Sequence, residues 1–303
     1  MLEQTNMFKG FIGQTFICNM LYDMFVCTQQ QHTAFPHTLF IASAGQGKTY
    51  LSRKLGKALS PNMFEVFGPS IKSWDDMQIH LQQLTDNSNV LFIDEIHALP
   101  TNVQELLYLT MTDYKYVNSK TGCYVTLPKF TLLGATTDPQ YMLRPFRDRF
   151  VNTMVFQKYT KNDLYNIFEH GWYIEKYDTT VVNKIIALSH GVPRKLNALL
   201  KRLNFYIIAN KIPFITPEVF ETFMQRIGID DYGMNPLQQQ YLQILKQANS
   251  PVSLANLANL MELKQEVITD IVEPDIISAD LVTITSAGRK YKARKEEICQ
   301  TPE

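Results

Sequence analysis

The sequence predicts a three-layer α/β/α domain built on a parallel sheet, followed by an all-α domain and a C-terminal winged-helix domain. From residue 1 to 157, continuous apolar runs alternate with amphipathic helical patterns, which is typical of strands covered by helices on both faces. From 158 to 228 the patterns are helical. Three short helices and a β-hairpin occupy 229–303, and this succession indicates a winged helix-turn-helix.

The first strand of the α/β domain, 38–41, runs into a glycine-containing loop and then a helix. The loop, 42–49, reads ASAGQGKT. Gly45 and Gly47 permit backbone angles that point successive N–H groups inward, which makes an anion-binding concavity at a helix N-terminus. The order of strand, loop and helix therefore predicts a site for nucleotide phosphates.

Side chains suited to phosphate and Mg²⁺ lie after this strand and after a second buried-type strand, 90–93. Lys48 would reach the β- and γ-phosphates, and the Thr49 hydroxyl would ligate Mg²⁺. Asp94 is suited to hold Mg²⁺ through water, and Glu95 to polarise an attacking water. The alternative for this carboxylate pair is an ordinary solvated strand end. We expect ATP and Mg²⁺ to bind here.

Hydroxyl and arginine side chains follow a third buried-type strand, 130–137. Its terminal threonines would either bind the attacking water or γ-phosphate, or cap a turn. Arg144, Arg147 and Arg149 come soon after. They would form either a solvated face paired with Asp148, or a set that includes an arginine finger for a neighbouring subunit's γ-phosphate. The second interpretation requires an oligomer.

Three further segments have a local and a functional explanation. Residues 11–14 form either a turn before a helix or a hydrophobic cover for a nucleotide base. Residues 114–127 predict a β-hairpin, which we expect to project from the domain. Residues 191–194 open a helix with Pro193 at its first position. A cation at a helix start is disfavoured by the helix dipole, so Arg194 is interpreted as a phosphate contact.

Composition narrows the class of protein. The formal net charge is zero, with 29 basic and 29 acidic residues, which argues against a protein that binds polyanions non-specifically over its whole surface. The four cysteines form no CxxC pair, so neither zinc nor a disulfide framework is expected. No apolar run approaches the length of a membrane span, and the polar first residues do not resemble a signal peptide. We expect a cytoplasmic protein.

The end of the chain concentrates positive charge. Residues 281–295 contain five basic residues and no acidic one. We expect Arg289, Lys290 and Lys292 on the wing to contact DNA phosphates. The alternatives are a solvated tail or a wing that docks a protein.

In their order along the chain, these motifs resemble those of AAA+ ATPases. The strongest similarity is to the RuvB family, the Holliday junction branch-migration motors. The matching stretches are 91–97 for Walker B, 134–137 for sensor 1, 147–150 for the arginine finger and 191–194 for sensor 2. Residues 273–274 and 285–289 are similar to the family's winged-helix ending. The resemblance covers nearly the whole chain and implies an AAA+ P-loop NTPase core, a helical lid and a winged helix.

The resemblance assigns roles residue by residue. It implies that Glu95 orients water, Thr137 senses the γ-phosphate, and Arg194 faces the nucleotide in the same subunit. Lys48 contacts the phosphates, and Arg149 is the finger supplied to the next subunit. The residues implied in nucleotide binding are Ile12, Gly13, Gly45, Gln46, Gly47, Lys48, Thr49, Tyr50 and Asp94, with Thr49 and Asp94 as the metal ligands.

The resemblance also implies a homo-oligomer, a hexameric ring that translocates double-stranded or branched DNA. Its junction-binding partner in the family is RuvA, which would dock on the 114–127 hairpin.

Two features depart from the family pattern: residues 42–44 are Ala-Ser-Ala where Gly-Pro-Pro is usual, and the hairpin is shorter. One rival function is a clamp-loader or helicase-loader ATPase that remodels a protein on DNA. The other is a non-enzymatic, nucleotide-gated DNA-binding module.

Overall fold

The computed structural model describes residues 7–171 and 177–292, and its first unit contains a five-stranded sheet. The strands of this unit are β1 (Thr38–Ile41), β2 (Phe64–Phe67), β3 (Val90–Asp94), β4 (Lys115–Val117), β5 (Tyr124–Thr126), β6 (Thr131–Thr136) and β7 (Asn152–Val155). The sheet order is β2-β3-β6-β1-β7, and every pairing is parallel. The carboxyl ends of β1, β3 and β6 therefore lie side by side at one edge, as the predicted parallel sheet requires.

Helices cover both faces of this sheet. They are α1 (Thr15–Gln31), α2 (Lys48–Leu59), α3 (Trp74–Leu81), α4 (Thr101–Asp113) and the short α5 (Arg144–Arg147). Alternate residues of β3 enter different hydrophobic clusters: Leu91 and Ile93 join one, and Val90 and Phe92 join the other. Because successive strand side chains point to opposite faces, the sheet has a core on each side. The predicted three-layer α/β/α architecture is confirmed.

The predicted hairpin is formed by β4 and β5, and its inner face packs on α3. The ring of Tyr116 meets that of Trp74 edge to face, with centroids 6.0 Å apart. The Gln78 side chain donates to Ser119 Oγ over 2.8 Å and accepts from its backbone N–H over 3.1 Å. Strand alternation leaves the other face of the hairpin exposed, with Lys115, Val117, Tyr124 and Thr126.

The first unit takes in the residues up to 167 and residues 192–194, which include the start of α6 and of α8 below. The second unit takes in residues 168–191 and those from 195 on, and it consists of helices followed by a hairpin. Helix α6 (Lys161–Gly171) leads into α7 (Thr179–Leu188), α8 (Pro193–Asn210), α9 (Pro217–Arg226), α10 (Pro236–Gln247), α11 (Leu254–Met261), α12 (Gln265–Val267), a π-helical turn (Ile268–Val272), α13 (Glu273–Ser278), β8 (Val282–Thr285) and β9 (Gly288–Tyr291). The last helices and the antiparallel β8–β9 pair form the predicted winged helix. Within the described ranges, no helix is both long and apolar enough to cross a bilayer.

His37, just before β1, forms hydrogen bonds with both β6 and α4. Its Nδ1 accepts a hydrogen bond from the Leu132 N–H over 2.8 Å, and its Nε2 lies 3.3 Å from the Met111 carbonyl. The ring is buried and packs near Phe130, with centroids 5.6 Å apart. Burial lowers the pKa of His37, and the hydrogen bond to Met111 opposes this shift. The imidazole is therefore held neutral, because a protonated Nδ1 cannot accept from Leu132.

We expect His37 to make folding stability depend on pH below neutrality. Because its pKa is lower in the folded chain, the unfolded chain takes up the proton first as pH falls below about 6.5. His37 therefore destabilises the fold by up to about 1.4 kcal/mol per pH unit, until pH reaches the folded-state pKa. Urea unfolding of wild type and His37→Gln between pH 7.5 and 5 should show a steeper decline for wild type. Parallel curves would contradict the assignment.

Candidate nucleotide-binding site

The loop after β1 has the backbone geometry of an anion-binding concavity. Gly45 and Gly47 have φ of 82° and 95°, in the left-handed region that favours glycine. A Cβ on Gly45 would come within 2.8 Å of Arg194 Cβ, and one on Gly47 within 3.2 Å of the Phe11 ring. Conformation thus favours glycine at both positions, and at Gly45 a side chain would also clash with Arg194. Helix α2 begins at Lys48, so its free N–H groups and positive dipole end face this loop.

Lys48 and Thr49 lie at the start of α2, beside the end of β3. Lys48 is only 5% exposed, and its Nζ donates to the Ala42 carbonyl over 2.8 Å. Burial lowers the pKa of Lys48, while Glu95 and Asp94 act in the opposite direction. Thr49 Oγ1 donates to Asp94 Oδ2 over 2.8 Å. A hydroxyl and a carboxylate next to a phosphate-binding loop are oxygen donors that fit Mg²⁺.

Glu95 has a strained backbone and a fixed carboxylate. Its φ and ψ are both 50°, a left-handed conformation that is uncommon outside glycine. Gly68 makes room for it, since a Cβ there would come within 2.3 Å of the Glu95 carbonyl oxygen. Glu95 Oε2 accepts from the N–H and hydroxyl of Thr137 over 3.4 and 3.3 Å, and His97 Nδ1 lies 3.4 Å away. The predicted water-orienting and γ-phosphate-sensing residues are therefore in contact.

The end of β6 supplies further polar groups. The Thr137 hydroxyl also lies 2.5 Å from Asp138 Oδ2, and this hydrogen bond is the main reason that the pKa of Asp138 is lowered. Thr136 Oγ1 lies 2.9 Å from His97 Nδ1. Thr137 thus contacts two carboxylates at the carboxyl edge of the sheet, and Thr136 also accepts from the Asp138 N–H over 2.9 Å, which caps the following turn.

Arg194 and an unpredicted residue, Tyr159, lie against the loop. The Arg194 N–H donates to the Gly45 carbonyl over 3.2 Å. Tyr159 donates its hydroxyl proton to the carbonyl of Gln46 over 3.0 Å, and burial raises the pKa of Tyr159 to about 12. The Tyr159 ring also lies where a Cβ on Gly13 would be, at 2.7 Å. Tyr159 belongs to none of the sequence motifs described above. The one sequence feature that could have pointed to it is its position just after the last strand of the sheet.

An aromatic cluster marks the side of the loop predicted to cover the base. Phe11 stacks on Tyr50 with ring centroids 6.1 Å apart, and Lys54 Nζ lies 5.4 Å from the centre of the Tyr50 ring. Ile12, which follows Phe11, is half-buried, and the Gln46 side chain is buried. The structure therefore brings Phe11, from the predicted segment 11–14, together with Tyr50.

Arg149 contacts the ring of Tyr108. Its guanidinium carbon is 5.4 Å from the centre of the Tyr108 ring, and the residue is exposed. Within the ranges 7–171 and 177–292, Arg149 has no hydrogen bond or ion pair to the phosphate loop. The alternative pairing with Asp148 is made by Arg144, at 3.6 Å. This arrangement leaves the Arg149 charge available outside its own chain.

Two of the three predicted DNA-contacting residues on the wing form ion pairs. Arg289 Nε donates to Glu273 Oε1 over 2.8 Å, and the Tyr241 hydroxyl donates to the same oxygen over 2.8 Å. Glu273 is only 3% exposed. Lys292 Nζ lies 2.7 Å from Asp280, whereas Lys290 is exposed. Arg294 and Lys295 lie outside the described residues. For Arg289, a phosphate contact would have to share or release the Glu273 carboxylate.

We expect Glu273→Ala to destabilise the second unit by about 3–5 kcal/mol, because it leaves the Arg289 charge without its buried partner. Thermal unfolding followed by circular dichroism measures this loss. The exposed Glu266→Ala serves as the matched control and should leave the melting temperature unchanged. An unchanged melting temperature for Glu273→Ala would show that the ion pair contributes no net stability.

The order of the sheet strands, with the phosphate loop on β1 and the acidic pair on β3, defines together with the winged helix a P-loop ATPase of the AAA+ class. The family described as "Holliday junction DNA helicase RuvB P-loop domain" matches residues 4–156, and the "RuvB C-terminal winged helix domain" matches 231–294. The chain belongs to the RuvB family, whose members are ATP-driven DNA helicases.

Individual relatives and solved structures match along almost the whole chain. The Holliday junction branch migration complex subunit RuvB of Ehrlichia ruminantium is 30% identical, over 94% of this chain and 88% of its own. The subunit of the same name from Mesomycoplasma hyopneumoniae is 28% identical, over 93% and 92%. A solved structure of the Thermotoga maritima RuvB Holliday junction branch migration motor has a TM-score of 0.78 and 26% identity, over 96% of each chain.

Proposed function

We propose that this chain is an ATP-driven motor that translocates duplex DNA and promotes branch migration of Holliday junctions as a hexameric ring. The observation that carries the proposal is the contact between Thr49 and Asp94 beside the buried amine of Lys48, with Glu95 next in the chain. This is the arrangement that a hydrolytic nucleotide site needs, which disfavours a binding module without turnover. The family and the winged helix favour a DNA motor over a protein-remodelling loader.

The phosphates of ATP would be bound by the backbone N–H groups of Gly45, Gln46 and Gly47 and by the Lys48 amine. Thr49 and Asp94 would hold Mg²⁺, which supplies charge neutralisation for the phosphate oxygens when bound. Lys48 would exchange its contact with the Ala42 carbonyl for one with a phosphate.

Hydrolysis would divide the remaining tasks between two subunits. Glu95 orients the attacking water, and Thr137, which touches its carboxylate, senses the γ-phosphate. Arg194, next to Gly45, contacts the phosphates in the same subunit. Arg149 of a neighbouring copy stabilises the charge that develops on the transferred phosphoryl group. Its exposure, and its lack of a hydrogen bond or ion pair with the loop among the described residues, support a role in trans.

Base recognition and chain organisation are further parts of the proposal. Ile12, Gly13 and Tyr50 would enclose the base, together with the aromatic ring of Phe11.

We assign residues 1–157 to the ATPase core, 158–228 to the lid and 229–303 to the winged helix. We also place the protein in the cytoplasm.

DNA and a partner protein would occupy separate surfaces. Lys290, exposed on β9, is suited to a DNA phosphate, with Arg289 and Lys292 contributing where their ion pairs are shared. The outer face of the β4–β5 hairpin exposes apolar and aromatic side chains, including Tyr124 at 71%. It is the surface on which we propose that a RuvA-like junction-binding protein docks.

Branch migration can be tested on a synthetic four-way junction. Wild-type protein with ATP and Mg²⁺ should convert the junction into two duplexes, and Lys48→Ala should not. In parallel, native mass spectrometry of Glu95→Gln with ATP should show a six-subunit ring when linear duplex is present. A monomer, or a protein that hydrolyses ATP without moving the junction, would refute the motor and favour the loader function.

A further inference from the structure

The backbone that carries Arg149 is fixed in the core of the first unit. Phe146 and Phe150 on either side of it are buried, and their rings meet edge to face at 5.5 Å. The Arg149 N–H donates to the Phe146 carbonyl over 3.2 Å. These contacts fix the Cα position. They do not fix the long arginine side chain, which keeps its rotamer freedom unless something holds the guanidinium.

Helix α4 is tied to the same segment by a buried side chain. The Gln104 amide accepts a hydrogen bond from the Leu143 N–H over 2.8 Å and donates to the Leu99 carbonyl over 2.9 Å. Tyr108 lies four residues after Gln104, so the two side chains share one face of the helix. The arginine segment and the Tyr108 ring are consequently held at a fixed distance from each other.

The guanidinium of Arg149 lies over the Tyr108 ring, 5.4 Å from its centre, which is within the range of a cation–π contact. Among the described residues, no carboxylate pairs with Arg149. We propose that Tyr108 is a positioning residue that holds Arg149 ready for a neighbouring subunit's ATP. This inference rests on the proposed function, in which Arg149 acts in trans.

An aromatic ring suits this task better than a carboxylate would. A carboxylate would neutralise the guanidinium, and that ion pair would have to break before the charge could act on a phosphate. The face of a tyrosine orients the same group through a weaker contact and leaves its five N–H donors free. The side chain then pays less ordering entropy when it meets the phosphate, which favours catalysis.

The contact is tested by exchanging the ring and measuring DNA-stimulated ATP hydrolysis of the full chain. Tyr108→Leu should lower kcat about tenfold, with KM and the affinity of the subunit for ADP unchanged within about twofold. Tyr108→Phe should retain most of the activity, because the phenol hydroxyl has no hydrogen-bond partner among the described residues. Leu109→Ala, at the next, exposed position of α4, is the matched control.

A mixing experiment separates positioning in trans from loss of structure. Subunits with Lys48→Ala supply a finger but cannot hydrolyse ATP, and subunits with Arg149→Ala supply only an intact nucleotide site. Their mixture should regain activity. When the finger donor also carries Tyr108→Leu, we expect about tenfold less recovery.

Each outcome bears on one of the two claims. Full recovery with the Tyr108→Leu donor would overturn the positioning role and leave the finger in place. No recovery in any mixture, or an active Arg149→Ala protein, would instead refute the finger and with it that part of the proposed function. A lower ADP affinity in Tyr108→Leu would show a merely structural effect and would also overturn the inference.

Discussion

Replacing Arg149 with alanine should lower ATP hydrolysis by the assembled protein about a thousandfold, because a finger in trans contributes about 10³–10⁵ to kcat in related phosphoryl transfer. Arg149 is exposed, and among the described residues it has neither an ion pair nor a hydrogen bond to its own phosphate loop. We therefore expect the affinity of the isolated subunit for ATP to stay within about twofold of wild type, since only the transition state loses its contact. Steady-state hydrolysis with duplex DNA and a nucleotide titration measure the two quantities.

Arg144→Ala is the matched control for this experiment. Arg144 is also exposed and lies at the start of α5, shortly before Arg149, but it pairs with Asp148 at 3.6 Å. Its removal should leave kcat within about twofold of wild type, as expected for a surface ion pair. If Arg149→Ala retained a third of the activity, or if Arg147→Ala were the inactive variant, the finger would be assigned to the wrong arginine.

Glu95→Gln should lower ATP hydrolysis by about 10²–10⁴-fold and leave ATP binding intact. The amide can still accept the hydrogen bonds that Thr137 donates at 3.3 and 3.4 Å, so the local structure should persist. It cannot act as a base toward water. Single-turnover hydrolysis and retention of labelled ATP on the protein distinguish slow chemistry from lost binding.

Two other carboxylate-to-amide variants serve as comparisons for Glu95→Gln. Glu105→Gln changes an exposed carboxylate on α4 and should leave hydrolysis unaffected. Asp94→Asn changes the carboxylate that contacts Thr49, and it should weaken Mg²⁺-dependent binding as well as hydrolysis. A Glu95→Gln protein that hydrolysed ATP at the wild-type rate would require a different residue to orient the water.

Parts of the site carried by consecutive residues could be predicted from the sequence. Gly45 to Thr49 form one loop and the start of α2, and Asp94 ends β3 with Glu95 next in the chain, so their types and spacing already specify phosphate and cation chemistry. Apolar periodicity likewise predicted the sheet strands and the helices beside them. The roles that the family resemblance adds to these positions remain predictions until the variants are measured.

Contacts between distant residues could not be predicted in this way. Tyr159 contacts Gln46, 113 positions away along the chain. Tyr108, on α4, contacts Arg149, just beyond the end of α5. Each tyrosine fits an ordinary apolar pattern, and only the packed fold shows what its ring or hydroxyl touches. The sequence predicts Arg289 as part of a basic wing. It does not show that the buried Glu273, on another element, forms an ion pair with Arg289.

The parallel register of β3 against its neighbours determines which changes in chain length the protein tolerates. Phe67 of β2 pairs with Asp94, and Gly134 of β6 pairs with Ile93, so hydrogen bonds on both sides fix the position of the strand end. A single deletion within β3 would turn the later side chains of the strand to the opposite face, put Glu95 where Asp94 lies and put Ile96 where Glu95 lies. A deletion of the same size in the exposed hairpin loop at 119–122 would leave the sheet in register. Natural variation in length should therefore concentrate in loops, and strand lengths should stay fixed.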